Sequence, residues 1–176
     1  MGVRLDMIKR IMNNCIPIKK IIITSCSNFT YEEMIKSNIA VRYGIKNIPS
    51  EQEWKCLELL VQNVLQPVRD HFGPIKVSSG YRSKELCLKI GSSAHSNHIR
   101  GQAADIEPLD SNITLFELLK WIHDNCEYRE LIAEYFPHGW VHVAYREGAN
   151  NKQIKLKDIN HNYYECDFNY IKKIYG

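Results

Sequence analysis

The sequence lacks a long apolar segment, a strong charge of either sign and a convincing export signal. No apolar run approaches the roughly 20 residues that a membrane-spanning helix needs, so a membrane span is not expected. A net charge of +3 over 176 residues is too small to indicate nucleic acid as the main partner. The first 14 residues carry three basic side chains with no continuous apolar stretch behind them, so no secretory signal is predicted and the compartment stays open.

The cysteines also lack the spacing of a metal site. Six are present, and no two of them form a Cys-x-x-Cys pair, which argues against a cysteine-based zinc site. An even number would allow three disulfides, but several of these residues lie within apolar helical patterns. The pattern favours buried, reduced thiols.

What is present is ordinary globular composition, with 44% hydrophobic and 24% charged residues. The length suits one domain with a sizeable core, and there is no internal repeat or low-complexity linker. Three capping boxes predict helix starts, at Thr30–Glu33, Ser50–Glu53 and Thr114–Glu117. The helix after Ser50 is the strongest, because apolar residues recur every three or four positions from Trp54 to Val68.

Both ends of the chain carry weaker helical patterns. Helical spacing from Leu5 to Cys15 predicts a short amphipathic helix, and the apolar triplet Ile21–Ile23 is a short strand or a buried connector. Within the strong helix that follows Ser50, Pro67 is expected to bend the last turn. The spacing of Tyr164, Phe168, Ile171 and Tyr175 predicts a terminal helix docked on the body.

Four strands are predicted, at 75–79, 102–107, 130–136 and 140–145. The last two flank Pro137-His138-Gly139, which fits a three-residue hairpin loop with glycine at its last position. If Phe136 and Trp140 close that loop, Glu134 lies directly opposite His142, and both point to the same face of the sheet.

Two imidazoles and one carboxylate stand out as a ligand set. The string Ser96–Asp105 places His98 seven residues before Asp105, and His142 lies in a predicted strand. Alone, such a His and Asp are typical of a solvated surface pair. Together the three side chains make three ligands and leave a fourth tetrahedral position open, which is the ligand count of a catalytic zinc site.

These residues carry a family resemblance. The pattern Ser96-x-His98-x-x-Gly101-x-Ala103-x-Asp105, followed by Trp140-Val141-His142-Val143, resembles the zinc D-alanyl-D-alanine carboxypeptidases. That family includes phage and bacterial L-alanyl-D-glutamate endopeptidases and shares a fold with the hedgehog signalling domain. The segments 28–33, 64–69 and 79–83 resemble its phage-type branch, and the likeness covers roughly residues 27–150.

The resemblance implies an α+β fold, in which a small antiparallel sheet carries zinc on one face and packs against helices. It implies a zinc peptidase domain at 27–155, between an N-terminal extension at 1–26 and a C-terminal extension at 156–176. His98, Asp105 and His142 would hold Zn²⁺. The implied enzyme is a monomeric metallopeptidase that cuts peptidoglycan stem peptides at D-Ala-D-Ala or L-Ala-D-Glu, as a carboxypeptidase or an endopeptidase.

The resemblance also assigns Arg82, in Ser79-Gly80-Tyr81-Arg82-Ser83, to the substrate. Guanidinium is always charged and presents a fork matched to a carboxylate. The alternative is a surface arginine beside the next helix. Ser96 and Tyr81 are candidates to line the substrate pocket, with turn formation as their alternative role.

The general base is where the sequence departs from the family. Many members carry an acid three residues before the second ligand histidine, and here that position is Gly139. Glu134 is the first candidate from the hairpin geometry, with orientation of a ligand as its alternative role. His138 is the second candidate, as base, oxyanion donor or acid to the leaving amine. The departure leaves two alternatives: a non-catalytic zinc-binding module, or a zinc hydrolase of another peptide.

Overall fold

The computed structural model describes residues 28–176. The N-terminal extension lies outside these residues, and so do the predicted helix from Leu5 to Cys15, the Ile21–Ile23 segment and the thiol of Cys26. Among the described residues, no helix is both long enough and apolar enough to cross a bilayer. The four described cysteines are free of disulfides, and Cys87 and Cys126 are buried.

Helices begin at the predicted capping residues. Thr30 caps the first helix, and Ser50 and Thr114 each form a complete capping box with the glutamate three residues later. The helices are α1 (Tyr31–Ile35), α2 (Asn38–Tyr43), α3 (Glu51–Leu60), α4 (Gln66–Phe72), α5 (Lys84–Lys89), α6 (Leu115–Asn125) and α7 (Phe168–Tyr175). A π-helical turn at Val61–Leu65 joins α3 to α4, and Pro67, which has no amide hydrogen to donate, lies directly after that turn at the start of α4.

Among residues 28–176, six strands form one sheet: β1 (Ile75–Ser79), β2 (Ala103–Pro108), β3 (Glu130–Glu134), β4 (Trp140–Ala144), β5 (Gln153–Lys157) and β6 (Tyr163–Glu165). Their order is β1-β2-β4-β3-β5-β6. All neighbouring pairs are antiparallel except β3 and β5, which are parallel. The predicted α+β class, with a sheet packed on helices, is confirmed, but the sheet is mixed.

The two faces of the sheet have opposite character. Residues that alternate along the central strands pack on α3, α4 and α6, and they are fully buried: Ala104, Ile106, Leu131, Ala133, Val141 and Val143. The other face carries the polar side chains of β2, β3 and β4, and these include Asp105, Glu134 and His142. The core therefore lies on one side of the sheet, and the candidate site lies on the other.

The predicted hairpin register is wrong by two residues. Glu134 pairs with Trp140, so the residue opposite His142 is Ile132 and the loop is longer than three residues. Tyr135 leaves the pairing with β4, takes a φ of 56° and donates its amide to the Lys157 carbonyl of β5. Because the shift is even, Glu134 and His142 still share a face, as expected.

The chain after residue 144 adds to the same sheet. The boundary predicted at 155 falls inside β5, which pairs with β3 along its whole length. In α7, Ile171 is fully buried, and Phe168 stacks on His123 with ring centroids 4.4 Å apart. Residues 153–175 thus contact both the sheet and α6.

Candidate metal centre

His98 is held by local hydrogen bonds in a short 3₁₀ turn, Asn97–Arg100. The Ser96 hydroxyl accepts from the His98 amide, and Gly101 ends the turn with a φ of 65°. A Cβ on Gly101 would lie 2.1 Å from the Glu53 carbonyl oxygen, so only glycine fits there. The ring Nδ1 lies 2.6 Å from the Gly80 carbonyl oxygen. Because a carbonyl only accepts, Nδ1 carries the proton and Nε2 presents a lone pair.

Asp105 and His142 are brought together by strand pairing. They are directly opposite each other in the antiparallel register of β2 and β4, on the polar face of the sheet. His142 Nδ1 lies 2.8 Å from Asp105 Oδ1. A residue pair separated by 37 positions in the chain is therefore placed in contact by sheet register.

The three candidate ligand atoms have the spacing of a tetrahedral metal site. His98 Nε2 lies 3.2 Å from Asp105 Oδ1 and 3.3 Å from His142 Nδ1. Ligands of tetrahedral zinc, at bonds of about 2.0–2.1 Å, lie about 3.3 Å apart. All three residues are buried, at 1%, 3% and 6% exposure for His98, Asp105 and His142. This buried set, which offers one ligand atom from each side chain, fits a divalent metal of zinc's type.

The electrostatics of the site favour a neutral His98 ring and an ionised Asp105 carboxylate. Burial lowers the pKa of His98, which favours the neutral ring. Burial alone would raise the pKa of Asp105, but the two imidazoles outweigh it and hold that pKa well below its usual range. Burial also opposes charge on His142, yet the hydrogen bond that His142 donates to the Asp105 carboxylate raises its pKa. A metal at this site would displace that shared proton.

Arg82 contacts the ligand set directly. Its Nη2 is ion-paired with Asp105 Oδ2, the oxygen that faces away from the imidazoles, and its Nε donates to the Ser79 hydroxyl at 2.6 Å. The Arg82 side chain is 17% exposed and lines the cavity above the three ligands. This geometry gives Arg82 a contact that orients a ligand, in addition to any contact with substrate.

Replacing Arg82 with glutamine is expected to weaken zinc binding by about 10- to 100-fold, the usual cost of losing a partner of a metal ligand. Chelator competition on purified protein measures the change. Arg146→Gln is the matched control, because Arg146 is exposed and lies outside the cavity. A raised KM with zinc affinity unchanged would assign Arg82 to the substrate alone.

A cavity of about 1190 Å³ opens over the three candidate ligands. The loop of residues 90–97 forms one side of it. The opposite side comes from β5, β6 and their connection, and includes Lys155, Lys157, His161 and Tyr163. The site is thus a cleft between a loop before β2 and strands from the last part of the chain.

The remaining predicted site residues divide into two groups. Glu134 is buried and lines the cavity, and Ser96 lines it as well. His138 is exposed and Tyr81 is buried among core residues, and neither lines the cavity. Burial and the nearby Glu53 carboxylate raise the pKa of Tyr81 to about 12.

Sequence reasoning missed Glu130 and its partners. Glu130 Oε1 lies 3.7 Å from His142 Nε2 and accepts from the Asn97 side chain at 3.3 Å. Glu130 Oε2 is ion-paired with Lys155. Glu130 is four residues before Glu134 in one strand, so strand alternation alone would have placed both acids on the same face. No comparable signal marked Lys155.

A buried His, Asp and His set that opens into a polar cleft is an arrangement that could hold a catalytic metal. A family model described as Peptidase M15 matches residues 27–144, which are 118 of the 176 residues. The chain belongs to the peptidase M15 family, whose members are metal-dependent, and it is therefore a peptidase. The predicted family is confirmed. A search of curated proteins finds no match.

Proposed function

We propose that the protein is a zinc metallopeptidase that hydrolyses peptidoglycan stem peptides. The observation that carries the proposal is the convergence of His98 Nε2, Asp105 Oδ1 and His142 Nδ1 at separations of 2.8–3.3 Å. Two neutral nitrogens and one carboxylate oxygen are a donor set that zinc accepts. When bound, zinc would polarise a peptide carbonyl and lower the pKa of a coordinated water to about 7.

Glu134 is the proposed proton acceptor. Its carboxylate lies on the metal face of the sheet and lines the cavity. Oε2 accepts a hydrogen bond from Lys157 at 2.9 Å, and no hydrogen bond to Oε1 is present among residues 28–176. Oε1 is therefore available to take a proton from a water in the cleft and later to deliver it to the leaving amine.

The charge of the cleft supports a peptide that bears carboxylates. Three acids line it, and each has a basic partner: Asp105 with Arg82, Glu130 with Lys155 and Glu134 with Lys157. Arg100 and Arg129 also line the cleft, and neither has an ion pair among residues 28–176. Their unpaired guanidinium groups favour an anionic substrate, and stem peptides carry free carboxylates.

Mass spectrometry of products from purified stem peptides tests the proposal. Zinc-loaded protein is expected to cleave at D-Ala-D-Ala or at L-Ala-D-Glu, and the products identify which bond is cut. Glu134→Gln, with zinc bound, is the control of strongly reduced activity. A protein that binds zinc tightly and cleaves neither bond would refute the proposed substrate. If the zinc-loaded protein hydrolyses no peptide at all, the alternative of a non-catalytic zinc-binding module with this fold is favoured.

A further inference from the structure

The candidate base is paired with a residue from outside the segment that matches the family model. The match ends at residue 144, and β5 follows it. In the parallel register of β3 and β5, Glu134 is directly opposite Lys157. Both side chains line the cleft on the metal side of the sheet.

The Glu134–Lys157 contact is a buried ion pair. Lys157 Nζ lies 2.9 Å from Glu134 Oε2, and the two side chains are 15% and 8% exposed. A buried charge that loses its partner is strongly destabilised, so each of these charges requires the other. The pair is therefore expected to persist, in contrast to an exposed pair of flexible side chains, which contributes little to stability.

Two tyrosines enclose the ammonium group. Lys157 Nζ lies 5.0 Å from the ring centroid of Tyr135 and 4.8 Å from that of Tyr163. Tyr135 is itself held by His161, whose Nδ1 lies 2.6 Å from the tyrosine hydroxyl. Burial alone would lower the pKa of Lys157, but its contacts with Tyr163, Glu134 and Tyr135 raise it, so the group stays charged. Contacts with Glu134, Tyr135 and Tyr163 thus hold the ammonium group beside the Glu134 carboxylate.

We propose that Lys157 is a positioning residue for Glu134: it holds Oε2 at the cleft wall and thereby directs Oε1 towards the substrate. The inference rests on the proposed function, in which Glu134 accepts the proton. Lys157 does not contact the three candidate metal ligands, so its removal should leave zinc binding intact. A group acting only through Glu134 should change kcat and leave KM unchanged.

Crystal structures of the zinc-loaded wild type and Lys157→Met test the positioning directly, without an activity measurement. The Glu134 carboxylate is expected to leave its wild-type position in Lys157→Met. It should stay in Lys152→Met, a matched control whose lysine pairs with the exposed Glu127 at 3.0 Å. A Glu134 carboxylate that keeps its position in Lys157→Met overturns the proposal. If that variant does not fold, Lys157→Gln takes its place.

Kinetics on the cleaved stem peptide give the second readout. Lys157→Met is expected to lower kcat by about 10- to 100-fold, because misplacing a catalytic group by about 1 Å can cost about 100-fold. KM and zinc content should not change, and Lys157→Arg should restore part of the loss. In a Glu134→Gln background, Lys157→Met should add no further loss, and an equal loss there overturns the proposal. If the wild type cleaves nothing, the proposed function fails and the crystal structures alone decide the positioning.

Discussion

Replacing His98 with alanine is expected to remove tightly bound zinc and to abolish peptide hydrolysis. His98 Nε2 is one of the three candidate ligand atoms found among residues 28–176, and its ring is oriented by the Gly80 carbonyl. Losing an outer partner of a ligand costs about 10- to 100-fold in metal affinity, and losing a ligand should cost more than about 100-fold. Elemental analysis after dialysis, together with chelator competition, measures the loss.

The control must separate loss of metal from loss of fold. His71→Ala is suitable, because His71 lies in α4, stacks on Trp121 with centroids 4.8 Å apart and does not line the cleft. Thermal unfolding of both variants, without added zinc, should show folded protein. One equivalent of tightly bound zinc in folded His98→Ala would refute the assignment of this side chain as a ligand.

Replacing Glu134 with glutamine is expected to lower kcat by about 10²- to 10⁴-fold, the usual contribution of a general acid or base. The amide keeps the shape of the side chain but cannot accept and release a proton at neutral pH. Zinc content should equal that of the wild type, because Glu134 is not among the three candidate ligands. Steady-state kinetics on the cleaved stem peptide measure the change.

Two further variants make this result specific. Glu127→Gln is the control, because Glu127 is an exposed acid paired with Lys152 and lies outside the cleft. Glu130→Gln tests the other acid on β3. Glu130 Oε1 lies 3.7 Å from Nε2 of the candidate ligand His142, so this substitution should weaken zinc binding. If Glu130→Gln loses kcat with zinc retained, and Glu134→Gln does not, the proton acceptor is Glu130.

The parts of the fold that depend on local chemistry could be predicted from sequence. Capping boxes depend on residues three positions apart, and each of the three predicted ones begins a helix. The α+β class, in contrast, was implied by the family resemblance of the motifs around His98, Asp105 and His142. The face shared by Glu134 and His142 was also predicted correctly, because side-chain direction depends only on whether a position is odd or even.

The register of the hairpin depends on information that the sequence does not display. Tyr135 adopts a left-handed φ that is uncommon for a residue other than glycine, and its amide bonds to β5, 22 residues further along the chain. Gly139 approaches the Glu134 carbonyl so closely that a Cβ would lie 1.9 Å from it. Both features come from tertiary packing, and turn preferences alone favoured a shorter loop.

The acid–base pairs of the cleft were the least predictable part. β5 reads Gln-Ile-Lys-Leu-Lys, and its partner in the sheet is β3, a parallel neighbour from an earlier part of the chain. Nothing local marks Lys155 and Lys157 as partners of Glu130 and Glu134. Whether Glu134, Arg82 and the three candidate ligands act as proposed stays a prediction until the variants are measured.

The parallel pairing of β3 with β5 has a consequence for truncated versions of the chain. A fragment that ends at Ala144 would keep the whole segment matched by the family model, yet β3 would become an edge strand with unpaired amides and carbonyls. Glu130 and Glu134 on β3 would then lose their ion-pair partners, Lys155 and Lys157. Such a fragment should self-associate through that edge, so the smallest autonomous unit extends beyond the matched segment.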